Sequence, residues 1–215
     1  MLFKNRSEAG RALAKRLQRY ALRNDVTVLG LPRGGVPVAA EVASALAAPL
    51  DVFIVRKLGA PQQPELALGA IASGGVQVVN WYAVEALHIS DETLASIVER
   101  EEAEVARRER VYRDARPPPD FAGRTVILVD DGLATGATML AAVEALRQLA
   151  PSRIVVAVPV AAVDTCRELE REVEELICAA TPEPFYGVGM WYQDFTQTSD
   201  AEVRDLLASA TRGRT

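Results

Sequence analysis

Histidine is nearly missing from this chain of 215 residues: His88 is the single one. A mechanism that needs histidine as base, nucleophile or metal ligand is therefore disfavoured, the more so because His88 falls in a polar stretch away from every motif described below. Cysteine is scarce as well. Cys166 and Cys178 form neither a metal-ligand spacing nor a disulfide framework, so both read as small core residues in a reducing compartment. Basic charge is not in excess. The formal net charge is −5 and the isoelectric point is near 5.1, which argues against non-specific attachment to nucleic acid or to an anionic membrane. The longest apolar run, "IVVAVPVAAV" from Ile154 to Val163, is too short to span a bilayer and contains Pro159. The opening "MLFKNRSEAGRALAKRL" lacks an apolar signal core, and Leu13, Leu17 and Tyr20 recur at helical spacing. A cytoplasmic protein is the expectation. Two common phosphate-binding patterns are missing too: there is no P-loop lysine, and no G-x-G-x-x-G follows a strand.

What is present alternates. Val26–Leu29, Leu50–Val55, Thr125–Val129 and Ile154–Val158 are short, mostly apolar runs that suit strands buried on both faces. Helical stretches lie between them, at Val38–Leu46, at Met139–Leu149 and after Asp164. This order predicts a doubly wound, mainly parallel α/β sheet flanked by helices, within one domain over 1–215. A segment at about 80–116 interrupts the alternation. Within it Ser90–Tyr112 is charged nearly all round, and Leu94, Ile97, Val98 and Val105 form a thin apolar stripe, which predicts a solvated helical arm. "RPPPD", Arg116–Asp120, is a stiff return to the core. "SDAE" from Ser199 is a capping box for a last helix.

The stretch "VILVDDGLATGAT", Val126 to Thr138, carries the chemistry. A buried strand ends in two adjacent carboxylates, Asp130 and Asp131, at the edge where open parallel sheets bind ligands. Gly132, Ala134, Gly136 and Ala137 then allow close approach to the backbone. Thr135 and Thr138 add hydroxyls, and a helix begins near Met139 with its positive end toward the turn. Such a turn suits a phosphate monoester, and carboxylates one strand-end away suit sugar hydroxyls, so the pattern points to a phosphorylated sugar. Mg2+, which takes oxygen ligands and phosphates, would offset the remaining negative charge. The bland reading is an ordinary Asp-Gly turn at a strand end; the buried strand before it and the Thr-Gly-Ala-Thr turn after it weigh against that.

"VILVDDGLATGAT" resembles the phosphoribosyl-pyrophosphate signature of type I phosphoribosyltransferases. "LPRGG", "VRK.GAP" and "WY.DF" resemble an uncharacterised bacterial branch of that family. The resemblance implies that Asp130 and Asp131 bind the ribose hydroxyls and are catalytic. Ala134, Thr135, Gly136, Ala137 and Thr138 would cradle the 5′-phosphate. Arg33 and Gly34 in "GLPRGGVPVAAE" would form the pyrophosphate loop, and Arg56 and Lys57, placed at the carboxyl end of the second strand, would meet pyrophosphate as well. Lys57, one of three lysines, is expected to be catalytic, and the Pro- and Gln-containing stretch after it, with Glu65, would be the mobile catalytic loop. Aromatics make up 6% of the chain yet gather in "PEPFYGVGMWYQDFTQTSD". That tail, from about 181 to 215, resembles a base-binding hood in which Phe185, Trp191 or Tyr192 would stack on a nucleobase-like acceptor and Asp194 would approach the metal with Asp130 and Asp131. The alternative for any one ring is a small core or a dimer contact.

The chain departs from several purine-type members of the family. Ala134 stands where they carry a third aspartate, so a base-activating carboxylate in the turn is not expected. The expected reaction is Mg2+-dependent transfer of a phosphoribosyl group from phosphoribosyl pyrophosphate to a nitrogen heterocycle, by a homodimer. The rivals are a non-catalytic nucleotide sensor on the same fold and a hydrolase on a generic α/β sheet. The hydrolase would need an activated nucleophile, and none is evident.

Overall fold

In a computed structural model of the protein, the structure describes residues 2–61, 63–113, 116 and 118–212, without the side chains of Pro64 and Glu65. A short helix α1, Arg6–Arg16, begins where the Asn5 side chain accepts from the Glu8 N–H. It leads to β1, Val26–Gly30, and to α2, Gly35–Leu46. Strand β2, Leu50–Val52, is followed by three strands of a second sheet: β3, Val55–Ala60; β4, Gln63–Ala72; and β5, Val76–Val79. Helices α3, Trp81–Ala86, and α4, Asp91–Arg113, come next. The chain then returns through β6, Thr125–Val129; α5, Ala137–Arg147; β7, Arg153–Val160; α6, Val163–Leu169; and β8, Glu175–Ala180. It ends in α7, Asp200–Arg212, where the Ser199 hydroxyl accepts from the Glu202 N–H.

The central sheet is parallel, in the order β2-β1-β6-β7-β8. Its strands are continuous apolar runs because both faces are covered. On β6, Ile127 and Val129 point into the cluster built with α1, α2 and α7. Val126 and Leu128 point into the opposite cluster, with Met139, Ala142 and Leu146 of α5. From β1 the chain winds one way to β2, and from β6 the other way to β7 and β8. The direction therefore reverses between β1 and β6, and the crevice above their carboxyl ends is the switch point where such sheets bind ligands.

The expected single strand at Leu50–Val55 is corrected. β2 ends at Val52, Phe53 and Ile54 are buried in two different clusters, and Val55 opens the second sheet. That sheet is antiparallel, β3-β4-β5, with register shifts in the β3–β4 pairing at Leu58–Ala60. Arg56 and Lys57 are thus strand residues of β3, opposite Ile71 and Ala70, rather than groups at a carboxyl end of the parallel sheet. The stretch after Lys57, expected as a catalytic loop, is mostly strand; Gln62 and the Glu65 side chain lie outside the described residues, as does Pro117 of the "RPPPD" return. The charged arm is helix α4, and Leu94, Ile97 and Val105 of its stripe are buried against the core while Val98 is partly so. Among the described residues no helix is long and apolar enough to cross a membrane. The two cysteines approach one another, Sγ to Sγ 2.9 Å, between α6 and β8.

Candidate functional site

The switch point is flanked by two helix starts. β6 ends at Val129, and the chain turns through Asp130 to Gly136 into α5. Gly136 has φ +70°, and a Cβ there would lie 2.6 Å from Thr165 Cγ2, so glycine is required on both backbone and steric grounds. Ala134, Thr135 and Thr138 are exposed. The Ala134 carbonyl accepts from the Thr165 hydroxyl of α6, which fixes the turn from behind. No side chain caps α5 among the described residues. Its first N–H groups therefore remain available to an anion, together with the two threonine hydroxyls.

The loop after β1 is the second start. α2 begins at Gly35, again without a side-chain cap and without an acid in its first turn. The loop lies directly against the acidic pair. A Cβ at Gly34 would sit 2.1 Å from Asp131 Oδ2, and one at Gly35 2.6 Å from the Val129 carbonyl oxygen, so the "GG" of "LPRGG" is the close approach of one strand end to the next.

The two carboxylates differ in environment. Asp130 is half-buried, and one of its oxygens accepts from the Asp131 N–H at 2.8 Å. Burial, followed by repulsion from Asp131, pushes its pKa well above the usual carboxylate range. Asp131 is also pushed up by burial, against the pull of Arg6. Arg6 of α1 donates from Nε to Asp131 Oδ2 at 2.8 Å and pairs through Nη2 at 2.8 Å. Its Nη1 donates to the Thr196 carbonyl, and its guanidinium lies 4.0 Å from the centroid of the Phe195 ring. Arg6 was not singled out by sequence reasoning. It sits 125 residues from its partner inside an unremarkable amphipathic helix, where no local pattern marks it.

A polar cavity of about 490 Å3 opens beside Asp131, lined by Arg6, Arg33, Gly34, Phe195, Gln197 and Asp200 among others. Arg33 is therefore at the site, 3.8 Å from Asp200. Arg56 and Lys57 are not among the residues lining this cavity. Arg56 is held by Glu101 of α4 at 2.8 Å. Lys57 lines a different cavity with Ala137 and Leu140 at the start of α5. The expectation that Arg56 and Lys57 stand at the carboxyl end of the second strand is corrected: β2 stops at Val52, and both belong to β3 of the second sheet.

The tail aromatics divide. Phe185 and Trp191 form a stacked pair, centroids 6.4 Å apart, and both are partly exposed. Tyr192 is 2% exposed and packs on Phe3, so it has no free face for a base. Its hydroxyl donates to the Asp131 carbonyl at 2.6 Å. Its expected role in stacking is replaced by support of the acidic pair. Asp194 is exposed, and its carboxylate accepts from the N–H and hydroxyl of Thr196. His88 is exposed.

An acidic pair between two uncapped helix starts, at the switch point of a parallel sheet, defines an α/β protein with a crevice at the carboxyl ends of its strands. Residues 2–180 match the family model of the phosphoribosyl transferase domain, and the chain belongs to that family. It is 43% identical to TT1426 from Thermus thermophilus, with a TM-score of 0.86 over 97% of this chain and 99% of that one. It is also 46% identical over 211 residues to a Mycobacterium tuberculosis protein named "Putative phosphoribosyl transferase Rv0571c", which covers 98% of this chain and 47% of that protein. The chain thus spans about half the length of the curated relatives it matches. The AQ2163 protein of Aquifex aeolicus shares the fold, with a TM-score of 0.50 at 12% identity over 94% of this chain and 84% of that one.

Proposed function

We propose that the protein transfers the 5-phosphoribosyl group from phosphoribosyl pyrophosphate to a nitrogen heterocycle of nucleobase type, with release of pyrophosphate. The observation that carries this reading is the acidic pair set between the two uncapped helix starts of α2 and α5. The turn of Ala134, Thr135, Gly136, Ala137 and Thr138 takes the 5′-phosphate through N–H groups and hydroxyls. Asp130 and Asp131 accept from the ribose hydroxyls and favour the positive charge that develops at the sugar carbon as the diphosphate leaves. Arg33 and the Gly34 backbone receive the departing diphosphate. Lys57, beside the start of α5, supplies charge on the phosphate side. Phe185 and Trp191 offer the ring faces for the acceptor.

Mg2+ fits the donor set. Asp130 and Asp131 offer oxygen ligands alone, and Mg2+ keeps waters and substrate oxygens rather than an all-protein cage. When bound it would be held by these carboxylates with the substrate, and it would supply neutralising charge to the diphosphate. Its arrival, with its positive charge, would favour ionised carboxylates that burial now disfavours.

The test is a screen of nucleobases with labelled phosphoribosyl pyrophosphate and Mg2+. Turnover with any base supports the reading. Saturable binding of phosphoribosyl pyrophosphate with no turnover across the screen would replace it with a sensor of that metabolite.

A further inference from the structure

The long charged helix does more than shield the core. Arg107, Arg108 and Tyr112 of α4 line the cavity beside Asp131 together with Arg33 and Gly34. With Arg6, four guanidinium groups from three separate elements face one space of about 490 Å3. Four arginines converging on one cavity are not explained by solubility, since the remaining charges of α4 lie outside it. Two of the four are prepared for a ligand. Glu104 takes Nε and Nη2 of Arg107 and Nε of Arg108, which fixes both forks from the helix's own surface. Among the described residues, Nη1 of Arg107 and both Nη groups of Arg108 have no further hydrogen-bond partner. Across the cavity Arg33 makes no side-chain hydrogen bond among the described residues and reaches a carboxylate, Asp200, only at 3.8 Å.

Asp200 shows what chemistry the space accepts. It is the first residue of α7, and its carboxylate takes the Tyr112 hydroxyl at 2.7 Å while facing Arg33. A protein carboxylate is thus already seated between α4 and the loop after β1, without satisfying the arginines around it. A ligand with several anionic oxygens does what one carboxylate cannot: it bridges forks on both walls at once.

We propose that Arg107 and Arg108 of α4 form the far wall of the diphosphate site, clamping against Arg33 the group that leaves from the sugar at Asp131. The proposal rests on the phosphoribosyl transfer reading for the identity of the sugar end. It adds a wall from outside the β1 loop, and it gives the helical insertion a chemical role. A charged hydrogen-bonding arginine is worth a factor of roughly ten or more in affinity.

The experiment is isothermal titration of the full chain with inorganic diphosphate and, separately, with ribose 5-phosphate, both with Mg2+. The proteins are wild type, Arg107→Ala, Arg108→Ala, Arg108→Lys and, as a control for net charge, Arg110→Ala, which does not line the cavity. The expected result is a diphosphate affinity lowered roughly tenfold by each of Arg107→Ala and Arg108→Ala. Arg108→Lys should give partial retention, Arg110→Ala no change, and ribose 5-phosphate affinity should be equal throughout. Diphosphate affinity at the wild-type level in both alanine variants, or an equal loss in Arg110→Ala, would overturn the proposal. Failure of wild type to bind ribose 5-phosphate would count against the transfer reading, while the diphosphate comparison still decides the role of α4.

Discussion

Arg6 Nε lies 2.8 Å from Asp131 Oδ2, and that bond joins the first helix of the chain to the acidic pair at the centre of the sheet. Asp131 is mostly buried, and Arg6 is the cation that offsets its charge. Arg6→Ala leaves a buried carboxylate without its partner, which costs roughly 3 kcal/mol. The expected outcome is a clear drop in melting temperature at neutral pH, and a smaller one in acid where Asp131 is protonated. Thermal melts at several pH values check it; an equal loss at every pH would mean that Arg6 acts through packing on Phe195.

Asp130→Asn tests the opposite sign. A carboxyl whose folded pKa is raised holds its proton more tightly in the folded state. Stability therefore falls as pH rises from about 3.8, the unfolded value, through the raised folded value. Removing the charge should make the variant more stable than wild type at pH 7 to 8, by roughly 2–4 °C for each kcal/mol, and the gap should close as pH approaches 4. Turnover should fall by roughly a hundredfold or more, because the charge opposing the developing cation is gone. A variant that is less stable at neutral pH would show that Asp130 is ionised and satisfied in the free protein.

The phosphate turn is best probed at its hydroxyls. Gly136→Val would combine a φ of +70° with a clash at Thr165, so lost binding there would report misfolding. Thr135→Val and Thr138→Val change exposed positions. Each should weaken ribose 5-phosphate by about 1 kcal/mol, a factor of about five, with melting temperature unchanged. Titration that finds full affinity in both would reduce the turn to a structural role.

Trp191 and Tyr192 are neighbours with separate duties. Trp191→Ala should raise KM for the acceptor by on the order of 1 kcal/mol and leave phosphoribosyl pyrophosphate affinity intact. Tyr192→Phe removes the hydrogen bond to the Asp131 carbonyl. It should lower kcat and cost about 1 kcal/mol of stability without changing acceptor KM. Steady-state kinetics on the pair that show the same profile for both would reject this division.

The parallel sheet was legible because Val126–Val129 and Ile154–Val158 are apolar without interruption, and only strands covered on both faces read so. The acidic pair and the turn were legible because their residues are contiguous. Leu50–Val55 misled for the same reason: an apolar run does not say which sheet its residues enter, and the transfer at Phe53 and Ile54 is a tertiary event. The pairing of Arg6 with Asp131, and the facing of Arg107 and Arg108 toward Arg33, are meetings of distant segments that no local spacing encodes. The stacking expected of Tyr192 could not be judged from the tail alone, since its burial depends on Phe3 at the other end of the chain.

The tie from Tyr192 to Asp131, with Thr196 holding Arg6, makes the acidic pair depend on a segment 61 residues further along the chain. Because Val203 and Leu207 of α7 belong to the core cluster on the α1–α2 side of the sheet, loss of the tail would register in stability as well as at the acidic pair.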